Sequence, residues 1–189
     1  MSVRDGVASE HHLSPAELEA GLDHLRAAPR DVGVVELIVR RPAVEAREVV
    51  ETAELDVEDG LVGDSWRTRG RSGGRPANTK AQVTVMNVRS TALVAGDRER
   101  WPLAGDQLYV DFDLSGEHVP PGTRLAVGSA VIEVTDDPHA GCKKFSSRFG
   151  LDALVFVNSQ EGRALNLRGI NTRVVQAGTV RVGDAIRRL

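Results

Sequence analysis

Gly122-Thr123-Arg124-Leu125-Ala126-Val127-Gly128-Ser129-Ala130-Val131-Ile132 and Gly178-Thr179-Val180-Arg181-Val182-Gly183-Asp184-Ala185-Ile186 repeat one pattern. Each reads as a strand of apolar and β-branched residues, a tight turn containing glycine, and a second strand. Glycine supplies the positive φ that such turns require. Turn chemistry alone produces such an echo, so it carries no claim of internal duplication. It predicts an antiparallel, many-stranded architecture.

Other stretches extend that reading. Gly33–Val39 is a short apolar run, Glu48–Val57 alternates imperfectly, and Gln82–Met86 is rich in β-branched residues. Gln107–Leu114 alternates as a half-buried strand does. Asp59-Gly60 and Gly63-Asp64 are turn signals. Two helical inserts interrupt the strands: one capped by Asn87 and stopped at Gly96, the other over Gly150–Asn158. Ser65–Thr79, with Gly70, Gly73, Gly74 and Pro76, has no apolar periodicity and reads as a long loop. These glycines match neither the P-loop nor the dinucleotide-binding spacing, and no regular strand–helix alternation occurs. Nucleotide binding is disfavoured.

Ahead of the strands, residues 1–13 read as disordered. Ser14-Pro15-Ala16-Glu17 then opens a helix: serine caps, proline suits the first turn, and Glu17 completes a capping box. Leu18, Leu22 and Leu25 share one face, and Pro29 ends the segment. The predicted division is a tail with an accessory helix at 1–31 and a single β domain at 32–189.

The chain carries 24 Lys and Arg against 27 Asp and Glu, a net charge of −3, which argues against a nucleic-acid binder. No apolar run approaches the ~20 residues of a membrane helix, and no apolar signal segment opens the chain. A single cysteine cannot form an internal disulfide, and a reducing cytoplasm fits. The charge is unevenly spread. Residues 65–96 hold six cations, Arg67, Arg69, Arg71, Arg75, Lys80 and Arg89, and no acid. That block reads either as a site for a small anion or a partner's acidic face, or as a solvated Arg/Gly loop.

The one cysteine lies in Asp137-Pro138-His139-Ala140-Gly141-Cys142-Lys143-Lys144-Phe145-Ser146-Ser147-Arg148. A free cysteine is by default a small buried residue. Here Lys143, Lys144 and Arg148 follow within six positions, and burying such charges unpaired is costly. An accessible, activated thiol fits better. Gly141 removes a side chain beside the sulfur and would admit a bulky reactant. His139 could hold the thiolate, donate a proton or act as a second metal ligand; equally it could be a turn histidine touching backbone only. A structural zinc site is disfavoured, because it needs a cluster of Cys and His ligands. Arg148, Arg163, Arg168 and Arg173 recur with Asn158, Asn166 and Asn171, and arginine forks recognise phosphate. Asp64 and Asp106, in Gly-Asp pairs, read as turn residues.

Taken together, His139 through Phe145, Arg148-Phe149-Gly150, Leu167-Arg168-Gly169-Ile170-Asn171, Arg173-Val174-Val175 and Gly178 through Asp184 resemble the MOSC domain, named for the C-terminal domain of molybdenum-cofactor sulfurase. The resemblance runs from about Val32 to the C-terminus. It implies a mainly β fold: a closed antiparallel β-barrel like that of pyruvate kinase, with a few short helices. It implies that Cys142 carries sulfur as a persulfide or ligates molybdenum, with His139 beside it. It also implies that Lys143, Lys144, Arg148, Arg168, Asn171, Arg173, Arg67, Arg71 and Arg75 surround an anionic molybdenum cofactor (molybdopterin). No pyridoxal phosphate is expected within this chain, so a cysteine desulfurase or other separate sulfur donor is the implied partner. Two alternatives remain: a subunit of a molybdenum-dependent reductase of N-hydroxylated compounds, with a redox partner, or a non-catalytic barrel that binds an anion or a partner.

Overall fold

The computed structural model describes residues 12–69 and 76–189. The accessory helix forms where the capping signals place it. Ser14 accepts from Glu17 N while Glu17 returns to the Ser14 backbone, and α1 (Pro15–Ala20) follows directly. Gly21 then offsets α2 (Leu22–Arg26). Leu18 and Leu25 are buried; α1 packs on a later helix at 151–158 and α2 on one at 88–95. Leu25 belongs to the second apolar core and Leu22 packs against it. The tail expected to be disordered lies, up to residue 11, outside the described residues.

Strand β1 (Gly33–Arg40) is followed by β2 (Glu48–Val50), β3 (Thr52–Asp56) and β4 (Gly60–Leu61). Glu48–Val57 is therefore two strands that break at Glu51, which explains its imperfect alternation. The loop expected at 65–79 contains α3 (Trp66–Arg69) and leads into a 3-10 turn at Thr79–Ala81. Next come β5 (Val83–Asn87), α4 (Val88–Ala95), a 3-10 helix at Arg98–Ala104, and β6 (Leu108–Asp111). The hairpin β7 (Arg124–Val127) and β8 (Ala130–Val134) precedes α5 (Lys143–Phe149), α6 (Leu151–Asn158) and α7 (Gln160–Ala164). The chain ends with β9 (Ile170–Gln176), β10 (Gly178–Arg181) and β11 (Ala185–Arg188).

The main sheet runs β11-β7-β8-β9-β5-β6-β1-β2, and β11 also pairs β1 through Gly33↔Ile186 and Val34↔Ala185. Seven strands thus close a barrel, with β2 appended to β1. Closure leaves no free edge around the ring. The ring is antiparallel except between β5 and β6, which run parallel with Val85 opposite Leu108. A parallel neighbour needs a crossover connection. The helix capped by Asn87 and the 3-10 helix at 98–104 are that crossover.

The two echoing segments behave differently. At 122–132 the turn is a true hairpin, with Val127 opposite Ala130 and Gly128 at φ 57, where a Cβ would lie 2.4 Å from the Thr179 carbonyl oxygen. At 178–186 the strands part. β10 pairs β3 in a separate three-stranded sheet, whereas β11 sits between β7 and β1. Both edges of β11 are needed to close the barrel, so β10 cannot pair with it.

Two apolar cores result. The barrel interior packs Val35, Ile38, Val83, Val85, Leu108, Val110, Phe112, Leu125, Ile132 and Ile186, joined by Leu55, Leu61 and Val180 from the small sheet. A register shift between Val35 and Leu37 turns Leu37 and Val39 outward. With Met86 and Tyr109 they form a second apolar face, covered by Phe145, Phe149, Ala153, Val157 and Leu167. The cysteine segment is pinned to that outer face.

Candidate functional site

The Phe145–Phe149 spacing of four puts both rings on one face of α5, packed edge to face at 4.9 Å and buried. The same spacing sends Lys144 and Arg148 to an adjacent face. Cys142 is the residue just before α5, in extended backbone, and it is exposed. Gly141 serves packing rather than reactant access. A Cβ there would lie 2.7 Å from Leu154 on α6, and Asn158 clamps the Gly141 backbone at 3.0 and 3.2 Å.

Cys142, Lys144 and Arg148 open onto a cleft of about 210 Å³. Its other wall is the turn 41–47, with Arg41, Glu45 and Arg47, and Arg168 also lines it. Five cationic side chains and one carboxylate therefore surround the thiol. Two of the cations are fixed from behind. Asp64 accepts from Arg41 N and Nε, both at 2.9 Å, while Arg41 Nη1 donates to the Gly105 carbonyl at 2.7 Å. Asp106, fully buried, accepts from Arg168 Nη1 at 2.6 Å, and Arg168 Nη2 donates to the Ala104 carbonyl at 2.9 Å. The Arg168 guanidinium also lies over the Phe145 ring at 5.2 Å. Asp64 and Asp106 are thus holders of site arginines as well as turn residues.

The remaining cations face one acid. Glu45 accepts from Lys144 Nζ at 2.8 Å and Arg148 Nη2 at 2.7 Å, and Arg47 Nη1 lies 3.7 Å away. The hydrogen bond from Lys144 and the Arg148 charge hold the Glu45 carboxyl below the usual carboxylate range. Burial, with Arg148 beside it, pulls the Arg47 guanidinium below its usual pKa. Arg47 Nε and Arg168 Nε are buried donors with no hydrogen-bond partner. Such groups are costly unless something accepts from them.

The other expected site residues are distributed around this centre. His139 does not line the cleft. It is packed behind it with Nδ1 3.5 Å from Asp106 Oδ1, and burial, reinforced by Arg168, pushes its pKa down to about 3. It is uncharged at neutral pH, so it is not a proton donor in the imidazolium sense. Asn171 is buried and donates to the Asp137 carbonyl at 3.0 Å, orienting the segment that leads to Cys142; its Oδ1 has no partner. Lys143 is exposed and outside the cleft. Arg173 and Arg67 line a different depression with Trp66, Thr79 and Gln82. There Arg173 pairs with Glu133 at 2.6 Å and Arg67 with Asp59 at 2.5 Å. Arg71 and Arg75 lie outside the described residues. Lys80 and Arg89 are engaged by Asp136 and Asp111, each at 2.7 Å, so the cationic block around 65–96 is partly neutralised by the fold. Arg41, Arg47 and Glu45 went unnoticed in the sequence. Their only signal is the spacing of charge between two strand-like runs.

The set is one soft nucleophile amid hard cationic donors. It can hold an anion against the thiol and stabilise negative charge on sulfur. Among the described residues no group of three or more His, Cys, Asp or Glu could hold a bare metal ion.

Several solved structures share the fold. The YuaD protein of Bacillus subtilis aligns with a TM-score of 0.61 at 16% identity, over 82% of this chain and 94% of that one. YiiM from Escherichia coli aligns with a TM-score of 0.53 at 17% identity, over 82% and 69%. YiiM from Geobacillus stearothermophilus gives 0.51 at 14%, over 83% and 73%. No curated protein sequence matches the chain. A family model described as the MOSC domain matches residues 78–187, which hold β5 through β10, most of β11, the cysteine segment and Arg168. With more than half of its length matched, this chain belongs to the MOSC domain family.

Proposed function

We propose that the protein binds the molybdenum cofactor in the Cys142 cleft and carries sulfur on that thiol as a persulfide. The family is generally associated with this cofactor. The observation that carries the reading is the pairing of an exposed thiol with buried arginine donors, Arg47 Nε and Arg168 Nε, that have no acceptor. The donor set fits a phosphate-bearing carrier. Arg47, Lys144 and Arg148 would hold its phosphate and Arg168 would supply a fixed charge at the wall, leaving the Cys142 thiol to carry sulfur; in the reductase alternative that thiolate would instead ligate molybdenum. Bound there, the cofactor would supply a metal centre able to change its oxidation state.

The chain's own chemistry is thiol chemistry. The Cys142 thiolate attacks the terminal sulfur of a persulfide on a donor such as a cysteine desulfurase. A new S–S bond forms at Cys142, the donor's S–S bond breaks, and the donor leaves as a thiolate. No electrons are gained or lost overall. The product carries its negative charge one bond further into the cleft, where Lys144 and Arg148 stabilise it. His139, neutral, backs Asp106 rather than moving a proton. A reducing cytoplasm would keep this thiol free between cycles; no described helix is long and apolar enough to cross a membrane.

Incubation with a cysteine desulfurase and cysteine, followed by intact-mass and peptide spectrometry, checks the sulfur step. One added sulfur atom on Cys142, absent from Cys142→Ala, is expected. An unmodified wild-type protein would refute the carrier role.

A further inference from the structure

Glu45 is the anomaly of the cleft. It is a non-glycine residue at φ 61, a conformation that side chains with a Cβ rarely adopt. In that conformation it places a carboxylate in a cluster of cations otherwise suited to an incoming anion. Three of them meet it: Lys144 at 2.8 Å, Arg148 at 2.7 Å and Arg47 at 3.7 Å. The first two are ninety-nine and one hundred and three residues away along the chain. Backbone strain persists where the surroundings hold it in place, and such positions cluster at ligand clamps and switches. Here Glu45 is a central residue of a turn closed by Ala46 N donating to the Ala43 carbonyl at 3.1 Å, and the cations hold its carboxylate.

We propose that Glu45 is a resident counter-ion, an internal occupant of the anion position that must swing out before an external anion can bind beside Cys142. The proposal rests on the cleft being an anion site, and it adds how that site is regulated. The pieces have the properties a latch needs. Glu45 is 55% and Lys144 68% exposed, so their pair is worth little and can exchange rapidly. Arg148, at 18%, stays in place, because its Nη1 also donates to the Leu103 carbonyl at 2.8 Å, and Arg47, at 17%, donates from Nη1 to the Glu45 backbone carbonyl at 3.2 Å. With Asp64 and Asp106 neutralising Arg41 and Arg168, three cations face one carboxylate. A phosphate dianion displaces a single charge and meets the full three. Weak monoanions are thereby disfavoured in the cleft, and a multiply charged ligand is selected.

The test uses the intact protein and inorganic phosphate as the probe. Cys142 is alkylated with iodoacetamide, which is neutral, and with iodoacetate, which is an anion of similar size. The ratio of the two rates reports the field at the sulfur, because the thiolate fraction cancels. Glu45→Gln keeps length and hydrogen bonding; Glu45→Asn tolerates the left-handed backbone. In both variants the iodoacetate-to-iodoacetamide ratio is expected to rise roughly threefold or more, as for removal of one negative charge from the cleft that Cys142 lines. Phosphate is expected to protect Cys142 from iodoacetamide at several-fold lower concentration than in the wild type. Equal protection of wild type and variants with an unchanged ratio overturns the latch while the anion site stands. Protection in none of the proteins overturns the anion site, and the latch with it.

Discussion

Replacing Arg168 by methionine is expected to destabilise the protein by about 3–5 kcal/mol, the usual cost of leaving a buried charge without its partner. Asp106 has no exposure, and its Oδ2 is satisfied by Arg168 at 2.6 Å. Water cannot take over that role. The substitution also removes the donor to the Ala104 carbonyl and the cation over Phe145, which ties α5 to the barrel. Urea unfolding reads the effect as a lower midpoint at an unchanged slope. Adding Asp106→Asn to Arg168→Met is expected to restore much of the loss, since the stranded charge is then gone. A loss below about 1 kcal/mol in the single variant would show that the pair does not hold the cleft wall as described.

The second large effect is an acid dependence set by His139. Its folded pKa near 3 lies below the ordinary value of 6.5, so the folded protein resists a proton that the unfolded chain accepts. The stability from neutral His139 is fully present above 6.5 and is lost as pH falls toward 3. Between about pH 7 and pH 5 this one group is expected to remove about 2 kcal/mol. His139→Asn should lose correspondingly less over the same interval, measured by urea unfolding at each pH. The imidazole resonances of His139 should stay fixed across that range. A titration centred near the ordinary value would contradict the burial argument. The two predictions are coupled: in Arg168→Met the freed Asp106 charge faces Nδ1, and the His139 pKa should rise.

Local chemistry was legible in the sequence, and partner choice was not. Ser14 caps α1 and Asn87 caps α4 because each side chain bonds within three residues of itself. The hairpin at 122–132 follows from the glycine at its turn. By contrast, the same strand–turn–strand pattern at 178–186 divides between two sheets, because β11 is claimed on both edges by β7 and β1. The parallel pairing of β5 with β6 is likewise set by what their side chains cover, not by either strand's pattern. At the site, Cys142, Lys144 and Arg148 were legible as charge clustered around a lone thiol, and Arg168 through the recurring arginines and the family resemblance. Arg41, Glu45 and Arg47 were not, since a charged turn between strands looks the same whether it faces solvent or another segment. Arg173 was drawn in by the family resemblance and Arg67 by the local charge block, yet the fold turns them toward Glu133 and Asp59.

The cleft at Cys142 is the proposed seat of an anionic molybdenum cofactor. Metal and pterin content of protein purified from molybdate-supplied cells measures this directly, comparing wild type with the Arg47→Gln, Arg148→Gln double variant. Molybdenum and pterin retained together by the wild type and lost by the variant is the predicted result. Retention that is equal in both proteins, or absent from the wild type, would contradict it.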